Sequence, residues 1–437
     1  MLDYYLRCAL QKTRRHPWLA SSLVLIIGLG VAACMTTLSV LRAATRDPMP
    51  GVSRMLYAPS IASTGEAAAT FAAAQGLVDH ATAVRLLSAG GSASVFADYA
   101  LSGIALPQDP GVHPSVIYGH AVSAAFFPVL RVPFVFGRSW SASEEGNHDL
   151  LVVISRKLND RIFSGRDSVG RTLRYNDATF RVVGVMDDWE PSPRFYDINA
   201  GNGYPGTDED FLVPLESAVA NRLGSAGTVS CVEAPDGKGF DALLHSGCLW
   251  ISVIAMAPTQ AGVQALDGVL DGAVRTSVAG GLAGEGLSGR MIPLRSLMEA
   301  KHIVPDGTQA SVVVSVALFL GCLVTAASLM MSHYLGRHAE LGLRRALGAR
   351  RTDIVAQLLV ESALTGLLGG LVGIGLTFLG VATVHRLLPS GPAQLATLQA
   401  GPIAIALLGA LVATMLSGAY PALSASRAMP LAIIRQG

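Results

Sequence analysis

The chain has 437 residues, 32 basic and 31 acidic side chains, a net charge of +1, and only 14% charged residues. Half of it is hydrophobic and its mean hydropathy is +0.46. A balance so near zero gives no global field for nucleic acid, and the apolar excess argues against an ordinary soluble chain.

Residues 1–16 set Leu2, Leu6 and Leu10 among Arg7, Lys12, Arg14 and Arg15, the pattern of a short amphipathic helix lying on a membrane face. Pro17–Leu41 follows with no charged residue and no histidine. A bilayer core takes about 20 apolar residues of helix, whose backbone satisfies its own hydrogen bonds, so this stretch is read as a span. Arg42–Ser60 is polar, with Pro48, Pro50 and Pro59, as in a linker or extended lead-in. Glu66–Ala89 is rich in alanine and suits a helix. From about Ser92 the pattern turns to strands. Val116–Tyr118, Leu150–Ile154, Thr179–Val185, Phe211–Val213 and Trp250–Met256 are short β-branched or aromatic runs. Ser155–Phe163 reads as a helix capped by Ser155, and Gly201–Asp210 as a loop. Thr259–Ala273 reads as a helix with Val263, Leu266, Val269 and Leu270 on one face. Three more uncharged stretches close the chain, at Gly307–Ser332, Ser362–Val384 and Pro402–Tyr420, the last short and bracketed by prolines.

The fold class expected is therefore an integral membrane protein, with four transmembrane helices and a large α+β extracytoplasmic domain between helices 1 and 2. Its segments are a cytoplasmic amphipathic helix at 1–16, helix 1 at 17–41, the exported block in two lobes at 42–306, and helix 2 at 307–332. A cytoplasmic loop at 333–353, helix 3 at 354–384, helix 4 at 402–421 and a tail at 422–437 complete it. Arginine and lysine set the orientation. Arg7, Lys12, Arg14 and Arg15 precede the first span, Arg337, Arg344, Arg345, Arg350 and Arg351 sit between the second and third, and Arg427 and Arg435 follow the fourth. The positive-inside rule places both termini and this loop in the cytoplasm, with the 42–309 block outside.

The five cysteines sort on that map. Cys8 is cytoplasmic, Cys34 and Cys322 fall within spans, and Cys231 and Cys248 alone are exported. The simplest state of such a pair in an oxidising compartment is a disulfide, contributing about 3 kcal/mol by constraining the unfolded chain; two free thiols are the alternative. A metal site is disfavoured, with only His245 nearby. Val31-Ala32-Ala33-Cys34 also resembles a lipoprotein cleavage site, but the apolar run continues to Leu41 as a span requires.

Motifs for catalysis are missing. No phosphate-binding loop or H-E-x-x-H motif is present, and Gly286–Gly289 lacks the last glycine of G-x-S-x-G because Arg290 stands there. Asp187, Asp188 and Glu190 cluster after a strand, where acids are ordinarily just solvated. The spans hold almost nothing ionisable to relay protons or ions. No catalytic, metal or cofactor-binding residue is expected.

Two features remain. In the third span Gly366/Gly370 and Gly369/Gly373 form overlapping small-xxx-small steps, which let a helix backbone approach closely. In the cytoplasmic loop, Leu335–Leu347 reads as a short helix with a Glu340/Arg344 pair, Leu343 and Leu347 on one face, and Gly348 as its stop. Thr352 is expected to cap the next helix, with Asp353 in its first turn. This compact basic element suits docking to a soluble partner; a plain topology signal is the bland alternative.

The run from Glu340 to Ile354 resembles the loop signature of the MacB/FtsX-type ABC permeases. Gln357–Leu364, the glycine-rich span, Tyr420-Pro421-Ala422 and Pro430–Arg435 continue the resemblance. Val122–Leu130, Phe136-Gly137-Arg138, Val153-Ile154-Ser155 and Phe180–Val185 look like that family's periplasmic core. The Cys231/Cys248 pair and the Gly201–Asp210 loop lie outside it. The resemblance implies a non-catalytic four-helix permease of the bacterial inner membrane. It would dimerise with a second copy or paralogue and work with ABC ATPase subunits that carry ATP and Mg. In MacB the ATPase is fused ahead of the first span; here Met1 leads almost directly into it, so the ATPase is expected on another chain. A periplasmic adaptor and an outer-membrane channel are further implied partners, with membrane lipid and without nucleic acid. By the same resemblance, Glu340, Leu343, Arg344, Arg345, Leu347, Gly348, Arg350 and Arg351 are the ATPase-coupling residues. The leading expectation is export of a periplasmic peptide, toxin or siderophore-like molecule by mechanotransmission. Alternatives are a lipoprotein-extracting permease, a transmembrane regulator of cell-wall hydrolases, and a lipid-anchored binding protein.

Overall fold

The computed structural model describes residues 17–44, 49, 51–63, 68–91, 93–107, 113–189, 191, 194–196, 198–201, 209–279, 286–301, 307–335, 350–387 and 400–426. In chain order come α1 (Pro17–Ala44), β1 (Leu56–Ser63), β2 (Leu77–Val78), α2 (His80–Ser88), β3 (Ser94–Leu106) and β4 (Ser115–Val122). Then follow β5 (Phe134–Gly137), β6 (Leu151–Ser155), α3 (Arg156–Phe163), β7 (Thr172–Tyr175), β8 (Ala178–Met186), β9 (Phe211–Pro214) and β10 (Ile251–Met256). The chain continues with α4 (Gln260–Ala279), β11 (Leu287–Pro293), α5 (Gly307–Leu335), α6 (Arg351–Leu387) and α7 (Ala400–Ser426). Contacts gather these into two units, one holding the long apolar helices and the other Arg46–Val304.

In the apolar unit α1, α5 and α6 are long and apolar enough to cross a membrane; in α7 the apolar run found among the described residues is the shorter Leu407–Ala419. The helices overrun the boundaries expected from hydropathy. α1 continues past Leu41 and past Cys34 to Ala44, and α6 begins at Arg351, so the expected loop 333–353 loses its last three residues to helix. Ile27, Val31, Met35, Ala326, Met330, Ile354, Leu358 and Ala410 form the packed centre. Val313, Val314, Leu379 and Leu416 point outward, which is stable for a helix bathed in lipid and costly in water.

In the other unit one eleven-stranded sheet runs in the order β11-β1-β10-β3-β4-β9-β6-β8-β5, with β2 beside β10 and β7 pairing both β3 and β8. One continuous sheet stands where the sequence leads one to expect two lobes. β1 occupies Leu56–Ser60, the end of the expected polar linker, because it pairs β11 over seven residues from Tyr57↔Pro293 to Ser63↔Leu287. The expected helix Glu66–Ala89 is broken. Ala68–Ala73 and α2 are helical, but Leu77–Val78 pairs with β10 instead. Asp79 then starts α2, its carboxylate accepting from the Thr82 N–H at 2.9 Å and the Thr82 hydroxyl at 2.7 Å.

β3 shows why the sheet has two packed faces. Val95, Ala97, Tyr99 and Leu101 enter the main core with Trp250, Leu266 and Leu270, while Phe96 points the other way onto Phe126. Phe126 there meets Phe127, Trp189 and Tyr196 edge-on. Each large side chain so buried contributes about 1.5–3 kcal/mol of transfer free energy. α4 packs Val263, Leu266 and Leu270 inward as expected, with Val269 only half-buried. It runs on to Ala279, beyond the expected end at Ala273.

Candidate functional site

Of the residues implied in ATPase coupling, Glu340, Leu343, Arg344, Arg345, Leu347 and Gly348 lie outside the described residues, as do 1–16 and the tail from Arg427. Arg350 and Arg351 are described and exposed. The expected cap at Thr352 is displaced: the helix already includes Arg351. The Asp353 carboxylate accepts from the Arg350 N–H at 3.2 Å, closing the first turn from within. Carboxylate at that position also complements the helix dipole. The next turn buries Ile354 and Leu358, so two exposed guanidiniums directly precede a fixed apolar anchor.

The glycine steps of α6 serve two different neighbours. A Cβ on Gly369 would lie 2.8 Å from Ile27, and one on Gly373 2.8 Å from Val31, both on α1. On α1 itself, Gly28 brings the backbones together, since its Cβ would sit 3.2 Å from the Gly369 carbonyl. Gly366 faces α7, where a Cβ would fall 1.9 Å from the Thr414 hydroxyl. Gly370 also faces α7, but there Ala410 and Leu407 would be at ordinary contact, 3.6 and 3.7 Å. The stripe therefore packs inside the helix unit, with Gly366, Gly369 and Gly373 as the tight positions.

Cys231 and Cys248 are joined by a disulfide, with Cα atoms 4.3 Å apart. Ser230 and Leu249 exchange backbone hydrogen bonds of 2.9 and 2.8 Å beside it, so the loop between them is closed twice. Cys248 is buried next to Trp250, which lies edge-on to Tyr99 and Phe240. The Tyr99 hydroxyl donates to the Leu223 carbonyl at 3.0 Å, and burial pushes its pKa upward.

The sheet unit also holds polar groups that spacing alone does not connect. His120 on β4 and Glu209, just before β9, lie 2.8 Å apart, and both side chains are buried. The Tyr196 hydroxyl donates to the other Glu209 oxygen at 3.3 Å. Asp210 is buried against Arg161 at 3.2 Å and accepts from the Tyr118 N–H. Asp187, expected to be merely solvated, pairs with Arg156 at 3.0 Å; Asp188 is exposed and Glu190 lies outside the described residues. Glu145 is buried elsewhere, its carboxyl accepting from the Ala124 N–H at 2.7 Å; burial pushes its pKa up to about 7. Among the described residues no three His, Cys, Asp or Glu side chains are grouped to hold a metal ion.

Two family models match in sequence order, a MacB-like periplasmic core domain over residues 23–261 and an FtsX-like permease C-terminal domain over residues 311–430. Among curated proteins, the macrolide export ATP-binding/permease protein MacB of Bdellovibrio bacteriovorus is 25% identical over 69% of this chain and 41% of its own length. The protein of the same name from Syntrophobacter fumaroxidans is 26% identical over 74% of this chain and 47% of its own. The chain thus spans less than half the length of these relatives. The crystal structure of the periplasmic region of MacB from Actinobacillus actinomycetemcomitans aligns over 59% of this chain and 96% of its own, at 13% identity and a TM-score of 0.36. With a periplasmic core and an FtsX-like segment together covering most of its length around long apolar helices, the chain is a membrane protein with a periplasmic domain and belongs to the MacB/FtsX-type family of ABC transporter permeases.

Proposed function

We propose that this chain is the permease subunit of an ATP-driven efflux complex that converts ATP hydrolysis by partner ATPase subunits into movement of its periplasmic domain, exporting a substrate already in the periplasm. The observation that carries the reading is the order of parts: a periplasmic core, then an FtsX-like segment whose helix α6 begins at the basic segment holding Arg350 and Arg351. In this reading four helices span the inner membrane with both termini cytoplasmic, α7 being the fourth. The Leu335–Arg351 segment enters the ATPase, Leu343 and Leu347 bury a small apolar tip, and Arg344, Arg345, Arg350 and Arg351 pair its rim with acids. Buried anchors hold such an interface, while rim charges set register and on-rate. ATP and Mg belong to the partner. A second permease copy or paralogue, and a periplasmic adaptor with an outer-membrane channel, complete the assembly.

Replacing Leu343 and Leu347 together by Asp is expected to release the ATPase in co-purification and to remove stimulation of its hydrolysis, with the periplasmic domain still folded. Single arginine substitutions weaken the complex modestly and in a salt-dependent way. Retention of the ATPase and of export by the double variant would refute the reading.

A further inference from the structure

β3 is long enough to take two neighbours on one edge, β10 over Ser94–Asp98 and β7 at Ala105 and Leu106, while β4 lines the other edge. β7 pairs in turn with β8, β8 with β6, β6 with β9 and β9 with β4, so these strands close into a ring. Leu101, Ala105, Ile117, Leu173, Tyr175 and Phe180 turn inward to the main core. On the outer face Val116 lies opposite Ile104 and Tyr118 opposite Ser102. One step further along, Leu106 lies opposite Arg174, Arg174 opposite Thr179, and Thr172 opposite Arg181. Paired residues share a face and alternate residues repeat it, so these side chains belong to one outward surface.

That surface joins apolar area to unpaired positive charge. Ile104, Val116 and Tyr118 are 46%, 54% and 40% exposed, side by side on two strands. Next to them Arg174 and Arg181 are exposed, and among the described residues neither forms an ion pair. Asp210, which accepts from the Tyr118 N–H, is already held by Arg161. The face is preformed. The Asn176 side chain accepts from the Ile104 N–H at 2.9 Å, and the Asn176 N–H donates to the Ile104 carbonyl at 3.0 Å, tying the turn between β7 and β8 onto β3. Gly103 permits that approach, since a Cβ there would stand 2.6 Å from Asn176 and from the Tyr175 ring. A face so fixed loses little freedom on binding.

We propose that this face docks an acidic polypeptide segment, which lays apolar side chains over Ile104, Val116 and Tyr118 and carboxylates over Arg174 and Arg181. Tyrosine and arginine are enriched where interfaces are strongest, and a guanidinium takes a carboxylate through two parallel hydrogen bonds. A second copy of the chain brings arginine and no free acid to meet arginine, so it does not complement the charge. Insertion into lipid needs an apolar face that sinks below the headgroups, whereas these side chains share one sheet face with Arg174, Thr179 and Arg181. The proposal is independent of ATPase coupling, and its test uses no ATP.

The test is calorimetric titration of the full chain in phosphatidylcholine nanodiscs with three end-blocked peptides: EDEDGFLV, the sign-reversed KRKRGFLV, and EDEDGSNT, which lacks the apolar part. EDEDGFLV is expected to saturate with a Kd below about 1 mM, and the other two to bind about tenfold more weakly or worse. Its affinity is expected to fall as salt rises, because the pairs are at the surface. Arg174→Glu with Arg181→Glu removes the charge, and Ile104→Thr with Val116→Thr removes apolar area while keeping β-branched residues on the strands. Each double variant is expected to weaken EDEDGFLV by about tenfold, with circular dichroism and tryptophan fluorescence unchanged. Absence of saturation by EDEDGFLV overturns the proposal, as does equal binding of either other peptide. Binding that survives both double variants places the peptide elsewhere and overturns it too. Arginine-dependent capture of phosphatidylglycerol vesicles without peptide binding would assign the face to the membrane surface instead.

Discussion

Glu145→Gln should make the stability of the sheet unit less dependent on pH. The wild-type carboxyl is buried between the turn after β4, where the Ala124 N–H donates to it, and Leu215, which opens the helix Leu215–Ala220 and also donates its N–H. Burial dominates over these two donors, and the nearby Glu216 carboxylate adds to it, so the pKa stands at about 7 against an ordinary 4.5. A pKa raised on folding means that the group's stability is fully present below pH 4.5 and is lost as pH rises through 7. At about 1.4 kcal/mol per tenfold, the rise from 4.5 to about 7 amounts to roughly 3 kcal/mol, most of it lost between pH 5 and pH 8. Glutamine keeps the neutral form at every pH. Urea unfolding of both proteins, followed by tryptophan fluorescence at pH 5 and pH 8, measures the gap between them. The variant should gain on the wild type by about 2–3 kcal/mol across that interval. A gap that does not change with pH, or a variant that falls behind at pH 8, would mean that the two amide donors outweigh burial and that the carboxylate is the native form.

The glycine seam predicts a sharp contrast within two turns of α6: Gly366→Ala and Gly373→Leu should lower the yield of folded, monodisperse protein, whereas Gly370→Ala should be tolerated, since its Cβ meets only ordinary contacts. Overpacking of this kind costs about 1–3 kcal/mol, and equal behaviour of all three variants would contradict the assignment. Cys231→Ser with Cys248→Ser should cost about 3 kcal/mol in denaturant unfolding, the closure entropy of a link with a sequence separation of 17, and peptide mapping without reductant should recover the two cysteines as one linked pair. Reporter fusions after Ala200 and Gly437 should read outside and inside respectively; any other result removes the proposed topology.

The long apolar helices were legible because lipid asks for nothing but length and apolarity, and α1, α5 and α6 answer both. β4, β6, β8 and β9 were legible for a related reason: β-branched runs such as Val152-Val153-Ile154 favour a pleated, buried surface. β3 and β11 were not. β3 mixes Ala, Gly and Asp along a strand packed on both faces, which erases the period-2 alternation. β11 carries Gly289 and Arg290, and the glycine makes sense only once α4 is seen to press Leu270 against it, 2.8 Å from where a Cβ would stand. The His120–Glu209 pair spans 89 residues and has no local periodicity to betray it. Of the glycine stripe, the sequence tells that a close approach occurs; that its two steps meet α1 and α7 separately follows only from the packing.

The pairing of β1 with β11 sets how the periplasmic unit can be loaded mechanically. The strand that leaves the segment after α1 and the strand that leads toward α5 are antiparallel neighbours, so both of their outer ends, Tyr57 and Pro293, lie at the same end of the ladder. If those two ends are drawn apart, the ladder opens like a zipper, one rung at a time, and yields at small force. If they are pushed or pulled together, all seven rungs are loaded little and the pair travels as a single rod into β10 and the sheet beyond. The joint is therefore stiff along one axis and compliant across it, and only a force that moves Tyr57 and Pro293 together carries through to the far strands.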